Sequence, residues 1–168
     1  LRTNVVEATV AGNRSHHNLS HGFLISDTTA SVISGNELYE KARPGGASTT
    51  GLLILASDGN RIERNLAYDN QDSGFQVSDG ADANLLVRNI SFANGDHGFD
   101  VPECDGPRLI SNTSTGNFND GFSIEGNVTN ATLRNNIAAE NSLLTGGNEL
   151  WVDATSTIGF SSDYDIFW

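Results

Sequence analysis

The chain has 168 residues, a formal net charge of −12 and a single cysteine. Such an acidic chain disfavours nucleic acid and anionic membranes as partners, and one cysteine cannot form an internal disulfide. No apolar run comes near the length of about 18 residues that a membrane-spanning helix needs, so we predict no membrane insertion.

One unit recurs along the chain and reads Asn, four residues, Asn, three residues and Gly. Complete copies open at Asn13, Asn65, Asn89 and Asn112, and a degenerate copy opens at Asn136. The Gly positions 51, 74, 98 and 121 follow one another at intervals of 23, 24 and 23 residues. A repeat of this length is typical of a solenoid, in which each unit buries its apolar face against its neighbours.

Apolar residues alternate after each of these glycines, as in Phe75-x-Val77 and Phe99-x-Val101, which is the period of a strand. A second apolar position precedes each opening Asn, for example Leu86, and predicts another short strand in every unit. No stretch has a sustained helical period. We therefore predict an all-β fold, a right-handed parallel β-helix solenoid with about 6–7 coils of roughly 23 residues, and a single domain over residues 1–168.

The repeated asparagines have a structural role in such a fold. Equivalent residues of successive coils lie about 4.8 Å apart. Side-chain amides stacked at that spacing can hydrogen-bond to one another and to the corner backbone. The sequence therefore predicts an asparagine ladder.

An insertion at residues 42–50 interrupts the repeat after the first coils. Lys41 and Arg43 are among the few cations of the chain, and loops on a rigid scaffold often carry binding. We take both as candidate substrate-binding residues for an anionic ligand. A loop that is only solvated is the alternative.

The segment from residue 65 to 105 is rich in carboxylates. Asp72 and Asp96 each stand two residues before a repeated Gly, so we expect them to stack on adjacent coils. Asp100 follows Gly98 by two residues and should point outward on the same face. Calcium prefers several carboxylate oxygens, and a bound cation would relieve the repulsion between stacked carboxylates. The pattern predicts a Ca²⁺ site formed by Asp72, Asp96, Asp100 and the adjacent His97.

Residues 153–168 are rich in aromatic side chains, and we predict that they leave the repeat. The chain also begins without a methionine, a signal peptide or a cap over the solenoid end. We expect a longer protein with flanking domains, or end-to-end stacking of copies.

The segments Asn70-Gln-Asp72-Ser-Gly74 and Asn94-Gly-Asp96-His97-Gly98-Phe99-Asp100 resemble the family 9 pectate lyases. The resemblance implies a catalytic Ca²⁺ bound by Asp72, Asp96 and Asp100, with His97 in place of one carboxylate. That family's catalytic base is a lysine two residues after the next Gly, where this chain has Ser123. We therefore assign His97 and Arg88 as candidate catalytic residues.

The coils also resemble those of mannuronan C5-epimerases and alginate lyases, through His97-Gly98-Phe99, but the Asp-Pro-His-Glu motif of those enzymes does not occur here. We assign Gln76, Ser123 and Arg134 to substrate binding together with the two loop cations. Two functions stay open. One is a secreted or cell-surface, Ca²⁺-dependent lyase on an acidic polysaccharide, and the other is a non-catalytic β-helix for glycan binding, adhesion or structure.

Overall fold

The computed structural model describes residues 1, 3–41, 48–142 and 146–168, and within these ranges the regular structure consists of short β-strands. The coils contribute one strand each to three parallel sheets, except that the last described coil has strands in two of them, and strands are numbered in chain order. None of the described segments forms a helix long and apolar enough to cross a membrane.

The strands of each sheet follow one another coil by coil. Sheet 1 consists of β2 (Thr9–Ala11), β6 (Val32–Ser34), β9 (Arg61–Glu63), β12 (Leu85–Val87), β15 (Arg108–Ile110), β18 (Thr132–Arg134) and β21 (Ser161–Asp163). Sheet 2 consists of β3 (Arg14–His16), β7 (Glu37–Tyr39), β10 (Leu66–Tyr68), β13 (Ile90–Phe92), β16 (Thr113–Thr115), β19 (Ile137–Ala139) and β22 (Ile166–Phe167). Sheet 3 consists of β4 (Phe23–Ser26), β8 (Leu52–Leu55), β11 (Phe75–Ser78), β14 (Phe99–Pro102), β17 (Phe122–Glu125) and β20 (Leu150–Val152). A separate pair, β1 (Val5–Val6) and β5 (Thr28–Thr29), completes the set.

The architecture is a parallel β-helix, so the predicted fold class is confirmed. Leu86 pairs with Ile62 on the coil before it and with Leu109 on the coil after it, and all three are fully buried. Six coils have a strand in each sheet, and a seventh has strands in sheets 1 and 2, among the described residues. Because each coil advances the chain by one strand spacing, residues at the same repeat position form rows along the solenoid.

The interior is a column of side chains stacked from coil to coil. Phe75, Phe99 and Phe122 form the clearest row, with ring centroids 4.9 Å apart and nearly parallel planes. Each is at most 1% exposed. The glycine that precedes each of them lets the chain enter sheet 3 against the following coil, where a serine hydroxyl or a carbonyl oxygen leaves no room for a side chain.

A change in this column should reduce stability measurably. Replacing Phe99 with leucine removes stacking on both sides and is expected to destabilise the fold by about 1–2 kcal/mol. Thermal unfolding should detect this as a midpoint about 4 °C lower. Phe167 on β22 is 38% exposed and serves as the matched control, since its replacement with leucine should change stability by less than about 0.5 kcal/mol. Equal losses in the two variants would contradict this description of the core.

The predicted asparagine ladder is confirmed at two corners. Between sheets 1 and 2, each asparagine after the first accepts the backbone N–H and the side-chain amide of the asparagine one coil earlier. These residues are Asn13, Asn36, Asn65, Asn89, Asn112 and Asn136. A second ladder of Asn70, Asn94, Asn117 and Asn141 stands between sheets 2 and 3.

The C-terminal segment corrects our prediction that residues 153–168 leave the repeat. Strand β21 pairs in register with β18, and β22 with β19, so the segment continues sheets 1 and 2. Asp165 takes the next position of the first ladder and accepts Asn136 N at 2.6 Å and Asn136 Nδ2 at 2.9 Å. The prediction was wrong because an aspartate takes the ladder position at which the repeat carries an asparagine.

Candidate functional site

The outer face of sheet 3 carries the polar side chains that the sequence singled out. Along β14, Phe99 and Val101 turn into the core, so Asp100 between them faces outward. The register pairs Asp100 with Gln76 on the coil before and with Ser123 on the coil after. Asp100 is nevertheless only 7% exposed, and Ser123 is fully buried. The row therefore lies below the surrounding surface.

The corner that enters sheet 3 adds a second row beside the first. Asp72 and Asp96 stand on adjacent coils, near enough for the charge of Asp72 to act on the Asp96 carboxyl group. Burial is the main cause that raises the pKa of Asp96, and Asp72 raises it further. His97 Nε2 lies 3.5 Å from Asp96 Oδ1.

Thr50 and Gln76 connect the two rows. Thr50 Oγ1 lies 3.3 Å from Asp72 Oδ2 and 3.3 Å from Gln76 Oε1, and the Gln76 side chain hydrogen-bonds to Asp100. The structure thus brings Asp72, Asp96 and Asp100 to one patch that spans neighbouring coils. The three aspartates therefore lie near one another on the outer face of sheet 3, as the sequence predicts.

Three ligand-type side chains are closest to one another within this patch. His97, Asp100 and Glu125 each offer an atom within 4.8 Å of the others. Asp100 Oδ1 is buried and has no hydrogen-bond partner. Burial raises the pKa of Asp100 to about 8, and the charges of Glu125, Asp96 and Asp72 add to the rise. An ionised carboxylate in this position destabilises the folded protein unless a cation neutralises it. Without a cation, the carboxyl group tends to keep its proton.

The protonation of His97 follows from its neighbour on the next coil. The backbone N–H of Asp120 donates to His97 Nδ1 at 3.2 Å. Because Nδ1 acts as the acceptor, the neutral imidazole carries its proton on Nε2, which faces Asp96. The Asp120 carboxylate, whose Oδ2 lies 3.3 Å from the same Nδ1, accepts Asn148 N at 2.5 Å. In this form His97 offers a proton to the patch, which opposes our assignment of it as a base.

The donor set fits a hard cation held through oxygen atoms. Asp100 and Glu125 supply carboxylates, and Asp96 and Asp72 lie beside them, which is the chemistry that Ca²⁺ prefers. The unpartnered Asp100 Oδ1 is the atom that would gain most from a bound cation. An imidazole nitrogen is a poor calcium ligand, so His97 suits hydrogen bonding better than coordination.

The predicted arginines do not join this patch. Arg88 is exposed at the corner between sheets 1 and 2, directly before the ladder residue Asn89. Arg134 lies on β18 of sheet 1, with its guanidinium 5.1 Å from the centre of the Tyr164 ring. No sequence motif defined the position of either arginine, and both lie on or beside sheet 1 rather than on sheet 3. We therefore withdraw Arg88 as a catalytic candidate and Arg134 as a substrate-binding one.

Lys41 also requires a correction. It follows Tyr39, the register partner of Tyr68, by two residues and so occupies the ladder position of Asn70. The side chain is fully buried, and Nζ donates to the carbonyl oxygens of Ser15 and Tyr39. Burial lowers the pKa of Lys41 to about 8. Because backbone carbonyls hold its ammonium group inside the solenoid, Lys41 cannot bind a ligand on the outer surface. The other loop cation, Arg43, lies in residues 42–47, outside the described residues.

Glu125, Asp120 and Thr50 belong to the patch but were not predicted. Counting from the repeated glycines would have found two of them. Asp120 precedes Gly121 as His97 precedes Gly98, and Thr50 precedes Gly51. Glu125 ends β17 next to Ser123 and pairs with Pro102, which places it diagonally across from Asp100. Its position depends on strand register, which the motif alone does not define.

Comparisons with known proteins agree with this architecture. A family model described as the right-handed beta helix region matches residues 45–161. Among solved structures, pectate lyase Pel9A aligns with a TM-score of 0.72 at 17% identity over 98% of this chain and 48% of its own. The mannuronan C-5 epimerase AlgE6 A-module of Azotobacter vinelandii aligns with a TM-score of 0.84 at 16% identity over 98% of this chain and 46% of its own.

A double mutant of the periplasmic alginate epimerase AlgG gives a TM-score of 0.67 at 18% identity, over 99% of this chain and 46% of its own. The chain thus spans about half the length of the structures that it matches. No curated protein matches it by sequence. At these identities the likeness concerns the fold, so the function has to be inferred from the patch on sheet 3.

Proposed function

Because the chain belongs to the right-handed β-helix family, we propose that its sheet 3 face binds an acidic polysaccharide through a bound Ca²⁺, and that β-elimination is the reaction this complex would undergo wherever a base takes the proton. The observation that carries this proposal is the cluster of His97, Asp100 and Glu125, with a buried, unpartnered Asp100 oxygen on the outer face of a parallel sheet. Uronate polymers of this kind are found outside cells, so we propose an extracellular or cell-surface location.

The neighbouring structures support the choice of ligand. Their names describe a pectate lyase, a mannuronan epimerase and an alginate epimerase, and all three polymers are chains of uronic acids. This chain has a net charge of −12, so an anionic polymer would be repelled from the carboxylate patch without a counter-ion. A cation shared between the patch and the sugar carboxylates removes that repulsion.

The residues of the patch then have separate roles. Asp100 and Glu125 would hold the cation, with Asp72 and Asp96 completing the oxygen set. When bound, the cation would neutralise the uronate carboxylate and so acidify the proton on the adjacent carbon. His97 presents its Nε2 proton towards Asp96 and can donate a hydrogen bond to an oxygen of the sugar. Gln76 positions the Asp100 carboxyl group through its hydrogen bond.

A specific observation favours binding without turnover as the second candidate function. Proton abstraction requires a positioned base. Ser123 stands at the position where the resemblance places the base, and its hydroxyl is buried without a hydrogen-bond partner. No side chain among the described residues activates it, and the Nε2–H form of His97 has no free lone pair facing the patch. A domain built in this way would hold an acidic glycan without cleaving it.

Ultraviolet absorbance of the unsaturated uronate product separates the two functions. With polygalacturonate or alginate, product formation should require Ca²⁺ and should fall about 100-fold or more in Asp100→Asn. Asp69→Asn is the matched control, because Asp69 is exposed at the corner between sheets 2 and 3 and the same charge is removed. Calorimetric binding of Ca²⁺ and polymer without product would establish the binding function. Absence of both binding and product would overturn the proposed site.

A further inference from the structure

The outer row of sheet 3 continues beyond the carboxylate patch. Asp100 pairs with Ser123, and Ser123 pairs with Trp151 on β20. Trp151 is therefore two strand spacings from Asp100, a distance on the order of 10 Å along the solenoid. A polymer that lies along the row spans this distance with more than one sugar ring.

Trp151 differs from its neighbours in exposure. Its side chain is 44% exposed, whereas Ser123 and Asp100 beside it are buried. A single exposed aromatic residue is unremarkable on a protein surface. Here a second observation accompanies it, because the hydroxyl of Ser123, between Trp151 and the patch, is fully buried without a partner. A buried hydroxyl in this state has a free energy cost that a ligand hydroxyl could relieve.

The charges around Trp151 restrict what can bind there. Glu149 precedes its strand and accepts hydrogen bonds from Asn141 N at 3.1 Å and Asn141 Nδ2 at 2.5 Å. Asp153 follows the strand and accepts Gly126 N at 2.9 Å. Both carboxylates are held by the protein, and they leave an apolar indole between them. An indole ring packs against the C–H face of a pyranose ring and needs no positive charge to do so.

We propose that Trp151 is the aromatic platform of a second sugar subsite, which binds a ring of an acidic oligosaccharide beyond the ring at the carboxylate patch. This inference rests on the proposed function, since the same polymer would occupy both positions. The subsite predicts that affinity depends on ligand length. A short oligosaccharide would reach the patch alone, and a longer one would also contact the indole.

Fluorescence can report on this residue directly, because the chain has two tryptophans. In Trp168→Phe, Trp151 is the single reporter, and in Trp151→Phe the reporter is Trp168, which is 81% exposed and lies beside sheet 2. Galacturonate and mannuronate hexasaccharides, titrated with Ca²⁺ present, should shift the emission of the first variant and leave that of the second unchanged. A silent Trp151 at saturating hexasaccharide would overturn the subsite.

Calorimetry with two ligand lengths separates this inference from the proposed function. Trp151→Ala should bind the hexasaccharides about tenfold more weakly and the disaccharides as the wild type does. Trp168→Ala is the matched control and should bind both lengths normally. Wild-type affinity of Trp151→Ala for the hexasaccharides would overturn the subsite alone. Failure of the wild-type protein to bind any of these saccharides with Ca²⁺ would overturn the proposed function and the subsite with it.

Discussion

Replacing Asp100 with asparagine is expected to stabilise the cation-free protein near pH 8 and to abolish its stabilisation by Ca²⁺. The substitution keeps the shape of the side chain and removes a buried negative charge. We expect the unfolding midpoint in a chelator at about pH 8 to rise by at least about 5 °C, or about 2 kcal/mol for a chain of this length, because a difference of about four pKa units corresponds to as much as about 5 kcal/mol. Thermal unfolding with and without Ca²⁺ measures both effects.

The sign follows from the pKa of Asp100 in the two states. Its folded-state pKa is raised to about 8, chiefly by burial, whereas an unfolded chain gives about 3.9. Between these values the folded protein retains a proton that the unfolded chain releases. The stability of the wild type therefore decreases as the pH rises from about 4 to about 8. Asp100→Asn lacks this decrease, so the two proteins should differ little at about pH 4 and most at about pH 8.

Calcium should reverse the loss of stability in the wild type. A cation that binds the folded state alone stabilises it by about 2.7 kcal/mol at 100 times its dissociation constant, and here it must first displace the Asp100 proton. The stabilisation should thus increase with pH and vanish in Asp100→Asn. Asp69→Asn, an exposed change of the same charge, should respond as the wild type does. An equal Ca²⁺ response in Asp100→Asn would show that the cation binds elsewhere.

The fold could be predicted from the sequence because each coil repeats the same local rules. Glycine, asparagine and alternating apolar residues recur at one spacing, and stacking makes each position the neighbour of its copies. The same reasoning predicts that Asp72, Asp96 and Asp100 lie together, because each stands two residues from a repeated glycine. It fails at the C-terminal coil, where Asp165 accepts the hydrogen bonds that an asparagine would accept and so continues the ladder with a different residue type.

The remaining site residues depend on information that a repeat motif does not contain. From the sequence, Lys41 is predicted to be a cation of the inserted loop. The pairing of Tyr39 with Tyr68 instead places Lys41 at a ladder position, with its side chain buried. From the sequence, Glu125 is only the last residue of a strand. The pairing of β17 with β14 brings its carboxylate within 4.8 Å of a ligand atom of Asp100. Both outcomes are set by how neighbouring coils align across corners. Strand register is thus the quantity that sequence reasoning has to establish before it can assign a site on a solenoid.

Replacing Asn89 with leucine is expected to destabilise the fold by about 4 kcal/mol or more. Asn89 is fully buried and makes four side-chain hydrogen bonds, to Asn65 N, Asn65 Nδ2, Ile62 O and Asn112 Oδ1, at 2.9–3.1 Å. Leucine would leave the backbone N–H of Asn65 buried without its acceptor and would remove one bond each from Asn65 Nδ2, Ile62 O and Asn112 Oδ1, at about 1–3 kcal/mol each before relaxation. Thermal unfolding should show a midpoint lower by about 10 °C or more.

Position along the ladder should decide which substitutions are tolerated. An inner asparagine both accepts and donates, so Asn89→Asp keeps the bonds from Asn65 and sets a carboxylate oxygen against Ile62 O and Asn112 Oδ1. Asp165 at the end of the ladder accepts from Asn136 and from Ser162 Oγ and donates to neither. In Asp165→Asn the new amide can donate to the Ser162 hydroxyl instead, so stability should change by less than about 0.5 kcal/mol. Asn89→Asp should lose several kcal/mol by comparison. If the two variants unfold at similar temperatures, the donor half of each amide contributes little, and packing of the coils stabilises the corner instead.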